Sequence, residues 1–468
     1  MDIHSLLAQP ESKTLEFKRD LSSLGPVLKT IVAFANTAGG TLIIGRSSEG
    51  DILGVADIFK AEEQLAGAIA ENIRPSMFPE IEIATEGNKN LLVVRVAHWR
   101  APFYIKQQGI PRGVYIRLGS TSRPISEELL NELQRSVISH SYDEQSLSDV
   151  LKNSLDLDYA VQKFRHVEKE VSEEKLRALN VLIAAGNRLV PSVGGLILFG
   201  KNTARQSHLP DARVRCARFL GKDKVLILDQ YEPEGTILDA VEPVLAFIQR
   251  NTRLAAEILS VRRKDIPEYP IVAVREALIN ALVHTDYSCT GAQIQVAIFD
   301  GRLEIQNPGM LPFGFTLEDL KTGVSRIRNR VIARVFHELK LMEHWGSGYK
   351  RIIEACKAGG YPEPKWEEFG TFIRVTFYSH PKTVIPTPER QPWIAEDGDH
   401  PEQDREQAIL RLFENGERLP FRVIIKRIAL PMSDRTLRYA LKALKNQGLL
   451  ESRGQGRALV WLRVRKSL

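Results

Sequence analysis

Glu276, Asn280 and His284 stand at every fourth position of the stretch Val274–Tyr287, VREALINALVHTDY. At about 100° per residue, that spacing files a carboxylate, an amide and an imidazole along one stripe of a helix. The residues around them, among them Ala277, Leu278, Ile279, Leu282 and Val283, are apolar, so the rest of the helix belongs in a core. Carboxylate, amide and imidazole are the side chains of proton transfer and polar ligand contact. Either they line a pocket, or they satisfy one another as a closed polar network.

The following elements bear on that choice. AQIQVAIFD and GRLEIQNPG read as a strand hairpin, and GTFIRVTFY as a later strand. Between them HWGSGYKRI is a glycine turn opening a helix, an N-terminus whose backbone N–H groups can cradle phosphate. The hairpin and the turn favour a pocket.

An Asn four residues after a Glu resembles the N-box of the GHKL ATPase family (gyrase B, MutL, histidine kinases). The resemblance implies ATP with Mg²⁺ as cofactor, Asn280 as the Mg²⁺ ligand and Glu276 as the group that polarises the attacking water for hydrolysis. It places Asn307 and Gly309 where an adenine-reading Asp-x-Gly belongs, and His284, Asn329, Gly346, Ser347, Gly348 and Thr371 around the nucleotide. The chain departs from that pattern at Asn307, an amide where the family has a carboxylate, and at Leu311, where it has a second glycine. An amide accepts a hydrogen bond more weakly than a carboxylate. GGLILFGK, FIQRNTR, VRRKDIPEYP, REALINALVHTDY and WGSGYKRI together resemble the carboxyl-terminal half of bacterial ATP-binding regulators labelled RecG-like or divergent-AAA. No GxxxxGK[ST] is present, so a P-loop mechanism is not supported. GHKL relatives commonly dimerise, which carries over a homodimer or higher homo-oligomer as the expectation.

At the other end of the chain ESKTLEFKRD precedes a helical GPVLKTIVAFANTAGG, an apolar strand TLIIG, a strand LLVVRVAHW and GVYIRLGSTSRPIS. ESKTLEFK, AFANTAGGTLIIG and YIRLGSTSRPIS are similar, in order and spacing, to the Schlafen-type AlbA-like domain of bacterial regulators. That resemblance implies nucleic-acid binding, with Lys18, Arg46, Arg117 and Arg123 as candidate phosphate contacts beside Arg19. Some Schlafen proteins are metal-dependent RNA nucleases with two glutamates and an aspartate. The glutamates map onto Glu11 and Glu16, but the aspartate position is Ser47, beside Arg46. Replacing an anionic oxygen ligand with a hydroxyl beside a guanidinium weakens a divalent-ion site badly, which counts against nuclease activity unless Asp51 folds back to substitute.

The last segment carries the charge. The 468-residue chain has a net charge of +6, yet from Asp404 to Leu468 there are fifteen Lys/Arg against six Asp/Glu. The rest of the chain is therefore mildly acidic, and the surplus points to a polyanion partner for the terminal module. DREQAILRLFENG and PFRVIIKRIAL read as helices, and Ser433 as the N-cap of a third, DRTLRYALKALKNQ, stopped by Gly448. Leu437, Ala440, Leu441 and Leu444 form its core stripe, with Arg435, Arg438, Lys442 and Lys445 to one side. LLESRGQGRALVWLRV then reads as a hairpin. Three helices and a basic hairpin spell a winged helix-turn-helix, the third helix in the major groove and Arg453 and Arg457 of the wing on phosphate.

The whole is expected to be an α+β, multidomain chain. Its parts are an AlbA-like domain (1–140), a connecting helical segment (141–190), a GHKL-like α/β sandwich (191–379), a Pro-rich linker (380–403) and a winged helix (404–468). With 43% hydrophobic and 26% charged residues it is an ordinary globular composition. No membrane-length apolar run or leader is visible, and Cys216, Cys289 and Cys356 suggest neither a zinc cluster nor a disulfide framework, so a cytoplasmic setting is expected. The expected function is an ATP-responsive nucleic-acid-binding transcriptional regulator. The rival readings are a Schlafen-like RNA nuclease and a DNA-stimulated ATPase.

Overall fold

Two segments that a sequence can only place in order, Leu15–Lys18 and Gly40–Ile44, lie side by side and parallel. The helix Leu24–Thr37 makes the crossover that a parallel pair requires. In this computed structural model, which describes residues 3–47, 49–259, 262–342, 348–384, 408–413, 417–428, 434–454 and 459–464, the sheet continues antiparallel through Lys89–Val96 to Glu80–Glu86. Alternation along the strands sorts the faces. Leu42, Ile44, Leu92 and Val94 pack under the helix, and Ile43, Leu91 and Val93 pack on the other side with Leu15 and Phe17.

Residues 1–384 form one compact unit and 385–468 another. Within the first, a mixed six-stranded sheet runs in the order Ile227–Tyr231, Val214–Phe219, Ile294–Phe299, Arg302–Pro308, Phe372–Tyr378, Lys365–Phe369. Only the pair Val214–Phe219 and Ile294–Phe299 is parallel. The helix Ile271–His284 lies against this sheet, between the helices Ile237–Arg250 and Gly348–Gly359. Leu278, Leu282 and Val283 are fully buried there, each contributing about 1.5–3 kcal/mol of transfer free energy. The amino-terminal α+β region is fastened to this one by an ion pair of Lys13 with Glu368 at 2.8 Å and by the Gly314 N–H, which donates to the Thr37 carbonyl.

The expected linker is not extended where it begins. His380 donates its N–H to the Glu268 carbonyl, and Pro381–Thr383 forms a tight 3₁₀ turn with Thr383 buried. The remainder of that segment lies outside the described residues.

In the second unit the helices Phe421–Arg427 and Asp434–Asn446 pack with strands Leu419–Pro420, Val460–Arg463 and Leu450–Arg453, in that order across a three-stranded sheet. Leu437, Leu441 and Leu444 are fully buried, joined by Ile409, Phe413, Ile424 and Leu450. The core stripe expected from spacing is therefore the core observed. Among the described residues no helix is long and apolar enough to cross a membrane.

Candidate functional site

The helix Ile271–His284 turns its polar stripe toward a cleft in the central region, and Glu276, Asn280 and His284 all line it. The facing wall comes from the sheet, through Ile305, Asn307, Ile373 and Val375. Apolar side chains close the rest, Met310, Leu311 and Phe315 from the loop after the hairpin and Met342 from beyond the next helix. Tyr349 and Trp366 meet at one rim with ring centroids 4.7 Å apart, tilted by 46°. The cleft encloses about 1210 Å³, part of it open to solvent. Its mostly apolar lining with a few convergent polar groups is what small-ligand sites share.

Each polar group has a definite setting. Glu276 is nearly buried, and its Oε2 is 3.2 Å from Arg351 Nη2, on the helix Gly348–Gly359. Gly348 opens that helix at the same place. A Cβ there would stand 2.6 Å from Glu276 Oε1 and 3.0 Å from Asn280 Nδ2, so glycine is what lets the start of that helix pack directly against the polar pair. Burial, and then the Arg328 cation, push the His284 imidazole down to about 4, so it is neutral at physiological pH. Asn307 is buried, its Nδ2 donating to the Pro308 carbonyl at 3.1 Å. Gly309 has φ +107°, where a Cβ would meet Asp286, and its N–H donates to the Thr371 carbonyl at 2.8 Å. Thr371 thus enters through its backbone, as a brace for the turn.

One expectation for this site is corrected. Asn329 is fully buried and grips the end of the helix, its Nδ2 donating to the carbonyls of Val283 at 2.8 Å and Thr285 at 2.7 Å. Its amide donors are therefore committed to the helix's last turn and not to a nucleotide. Gly346 and Ser347 lie outside the described residues. The residues that spacing alone missed are Arg351 and the Tyr349–Trp366 pair. Each comes from an element distant in sequence from Glu276.

In the amino-terminal region the carboxylates are occupied. Glu11 accepts from the Phe17 N–H at 3.0 Å. Glu16 is buried and ion-paired with both Arg117 and Lys18, and accepts from Thr30 Oγ1 at 3.2 Å. Arg117, expected on a phosphate groove, is corrected too: it has no exposed surface, and it also donates to the Ser12 carbonyl at 2.6 Å. A guanidinium so placed neutralises Glu16. Lys18 keeps part of its surface, Arg123 is exposed, and Arg46 lies 3.9 Å over the Phe17 ring. The turn after Arg46 does fold back, the Ser47 N–H donating to the Asp51 carbonyl, but Asp51 stays exposed. Among the described residues no three His, Cys, Asp or Glu come together to hold a metal ion.

In the second unit Arg438 lies 4.2 Å over the Phe421 ring, Lys442 is exposed, Lys445 donates to Ser452 Oγ at 2.6 Å and Arg453 pairs with Glu451 at 2.8 Å. Arg435 sits on the helix Asp434–Asn446, its side chain outside the described residues, as is all of Arg457.

Comparison with known proteins places two parts of the chain. Residues 11–126 match the family "Schlafen, AlbA_2" and residues 291–377 the family "Putative ATP-dependent DNA helicase recG C-terminal". Among curated proteins none matches. Among solved structures, the DIP2311 protein from Corynebacterium diphtheriae is similar at 22% identity, over 99% of this chain and 96% of that one, with a TM-score of 0.43. The amino-terminal domain of a "Putative ATP-dependent DNA Helicase RecG-related Protein" from Nitrosomonas europaea is similar at 31% identity, over 27% of this chain and 94% of that one, with a TM-score of 0.22. At those TM-scores neither superposition carries an argument.

Proposed function

We propose, for a chain that carries a Schlafen AlbA_2 domain ahead of a RecG-type HATPase segment, that it is an ATP-responsive nucleic-acid-binding protein acting as a transcriptional regulator. The observation that supports this best is the convergence of Glu276, Asn280 and His284 on one cleft with apolar walls. The apolar walls suit a purine, and the polar stripe beside the start of the helix Gly348–Gly359 suits its phosphates.

Magnesium fits this donor set. The Asn280 carboxamide, which lines the cleft, would supply one oxygen ligand, and the phosphates would supply others. When bound, the ion would offset phosphate charge. His284, neutral, would meet the phosphate side as a hydrogen-bonding group, and Asn307 would meet the base. Glu276 is the group positioned to orient water, but Arg351 holds its carboxylate. We infer binding as the main role and hydrolysis as slow.

For the second unit we infer a winged helix whose helix Asp434–Asn446 enters the DNA major groove, with Arg435, Arg438, Lys442 and Lys445 on one side and Arg453 and Arg457 on the wing. Lys18, Arg46 and Arg123 remain the phosphate contacts proposed for the amino-terminal region. The homodimer is carried from the GHKL resemblance.

Calorimetric titration of Mg-ATP into wild type and Asn280→Ala, with and without duplex DNA, tests the reading. Wild type should bind, Asn280→Ala should bind at least about tenfold more weakly, and DNA should change the wild-type affinity. Absence of both ATP and ADP binding would sink it.

A further inference from the structure

A second cavity opens where the amino-terminal region meets the loop that follows the hairpin of the central region, and its charge is lopsided. Arg100 and Arg135 reach it from the first, and Arg326, Arg328 and Arg330 from the second. Two carboxylates line it, Glu132 and Asp286, and both are directed at Arg328, the first in a close ion pair and the second at 3.6 Å. Arg330 approaches Glu144 no nearer than 3.9 Å. Arg100 donates to Ser139 Oγ at 3.1 Å and Arg326 to the Phe313 carbonyl, both neutral oxygens. The guanidiniums outnumber the anions that face them.

The crowding of cations is local as well as summed. His98 Nε2 and Arg326 Nη1 lie 2.8 Å and 2.9 Å from the point a Cβ on Gly314 would occupy. Gly314 has φ +78°, so glycine is what lets the loop carry Arg326 up to the imidazole. His98 is anchored from the other side, its Nδ1 3.0 Å from the Ala35 carbonyl oxygen. Burial, and then the Arg326 and Arg100 cations, hold the His98 imidazole below its ordinary value, and burial and Arg100 do the same to the Arg326 guanidinium. Asp319 draws the Arg326 guanidinium the other way, but cations in excess of the anions that face them raise the free energy of the unliganded protein, and an added anion lowers it. Burial also pushes the Glu132 carboxyl up to about 7, against the pull of the Arg328 cation. Arg328 Nε is buried without a hydrogen-bond partner among the described residues.

We propose that this seam cavity is an anion site that takes a phosphate group, held between Arg100, Arg326 and Arg135. Several planar guanidinium forks match a tetrahedral, multiply charged oxyanion better than a single carboxylate. The site goes beyond the nucleotide reading and does not rest on it. Pro312, Arg326 and Ile327 line both this cavity and the nucleotide cleft, so Arg326 is the wall between them. The phosphate arrives either as a free small anion or as the phosphate of a nucleic-acid strand.

The full chain is titrated calorimetrically at low salt with sodium pyrophosphate without magnesium, and separately with a 5′-phosphorylated dinucleotide whose internal linkage is a neutral methylphosphonate and with its unphosphorylated counterpart. Wild type should bind pyrophosphate or the phosphorylated dinucleotide, with affinity falling about tenfold or more in Arg100→Gln and in Arg326→Gln, and staying unchanged in Asn280→Ala. Binding of pyrophosphate marks a free anion as the source, and binding of the dinucleotide alone marks a strand. Arg100 is exposed, so Arg100→Gln decides the matter if Arg326→Gln fails to fold. The proposal is overturned if neither probe binds, if the unphosphorylated dinucleotide binds equally well, or if binding survives in Arg100→Gln or is lost in Asn280→Ala.

Discussion

Arg351 Nη2 stands 3.2 Å from Glu276 Oε2, so the one carboxylate that lines the cleft among the described residues faces its ligand space already paired with a cation. The pair joins two helices distant in sequence, Ile271–His284 and Gly348–Gly359, and both of its residues line the cleft. It sets a carboxylate in place while limiting what that carboxylate can do as a base.

Releasing Glu276 should therefore expose its latent chemistry. Arg351→Met is expected to raise the rate of phosphate release from Mg-ATP several-fold over wild type, and Glu276→Gln should abolish any such rate while retaining nucleotide binding. A coupled phosphate assay beside a titration separates the two. An unchanged rate in Arg351→Met shows that the ion pair imposes no restraint.

Glu16 and Arg117 make a buried pair, and removing one partner leaves a charge in the core. Glu16→Gln should cost about 3–5 kcal/mol of folding stability, read from the midpoint of urea unfolding. A loss under about 1 kcal/mol would mean that the Ser12 carbonyl and Ser122 Oγ suffice for Arg117. No ribonuclease activity with Mn²⁺ is expected from wild type, because Glu16 is neutralised.

His284 makes stability depend on acid. The folded chain keeps this imidazole neutral down to about pH 4, whereas an unfolded chain protonates it near its ordinary value of 6.5. Protons therefore bind the unfolded state more readily between those values. The contribution is whole above pH 6.5 and is lost as pH falls toward 4, on the order of 3 kcal/mol in all. Urea unfolding of wild type and His284→Gln at pH 7 and pH 4.5 should show the smaller pH difference in the variant. Equal differences would remove His284 as the cause.

Lys442 is exposed on the helix Asp434–Asn446 and belongs to no ion pair among the described residues. If it contacts a phosphate, Lys442→Ala should weaken duplex binding alike across sequences and reduce the slope of log K against log salt by about one. A change confined to particular sequences would assign it to base reading instead.

The helices and their core stripes were legible because a helix repeats every 3.6 residues whatever surrounds it. Leu437, Leu441 and Leu444 were placed in a core by spacing alone, and they are buried. The stripe Glu276–Asn280–His284 was likewise legible, and it does face one cleft. Basic residues were legible only as charge. Nothing in YIRLGSTSRPIS distinguishes Arg117, sealed inside against Glu16, from Arg123, exposed one register position away on the paired strand of the hairpin. Asn329 was read as a ligand group for the same reason, since an amide in a loop looks alike whether its donors face a nucleotide or the carbonyls of Val283 and Thr285.

By itself the amino-acid sequence marked the helices and strands of clear period, though not the strand pair Leu182–Ala185 and Arg188–Pro191 inside the segment expected to be helical, and it put a carboxylate, an amide and an imidazole in one file. Those are local properties, set by side-chain period and backbone preference. Only the tertiary structure decided that Arg351 holds Glu276, that Arg117 is an internal counter-ion, and that arginines from two regions gather around Gly314. Each depends on chain segments tens to hundreds of residues apart coming within a few ångströms, and charge interactions follow distance in space.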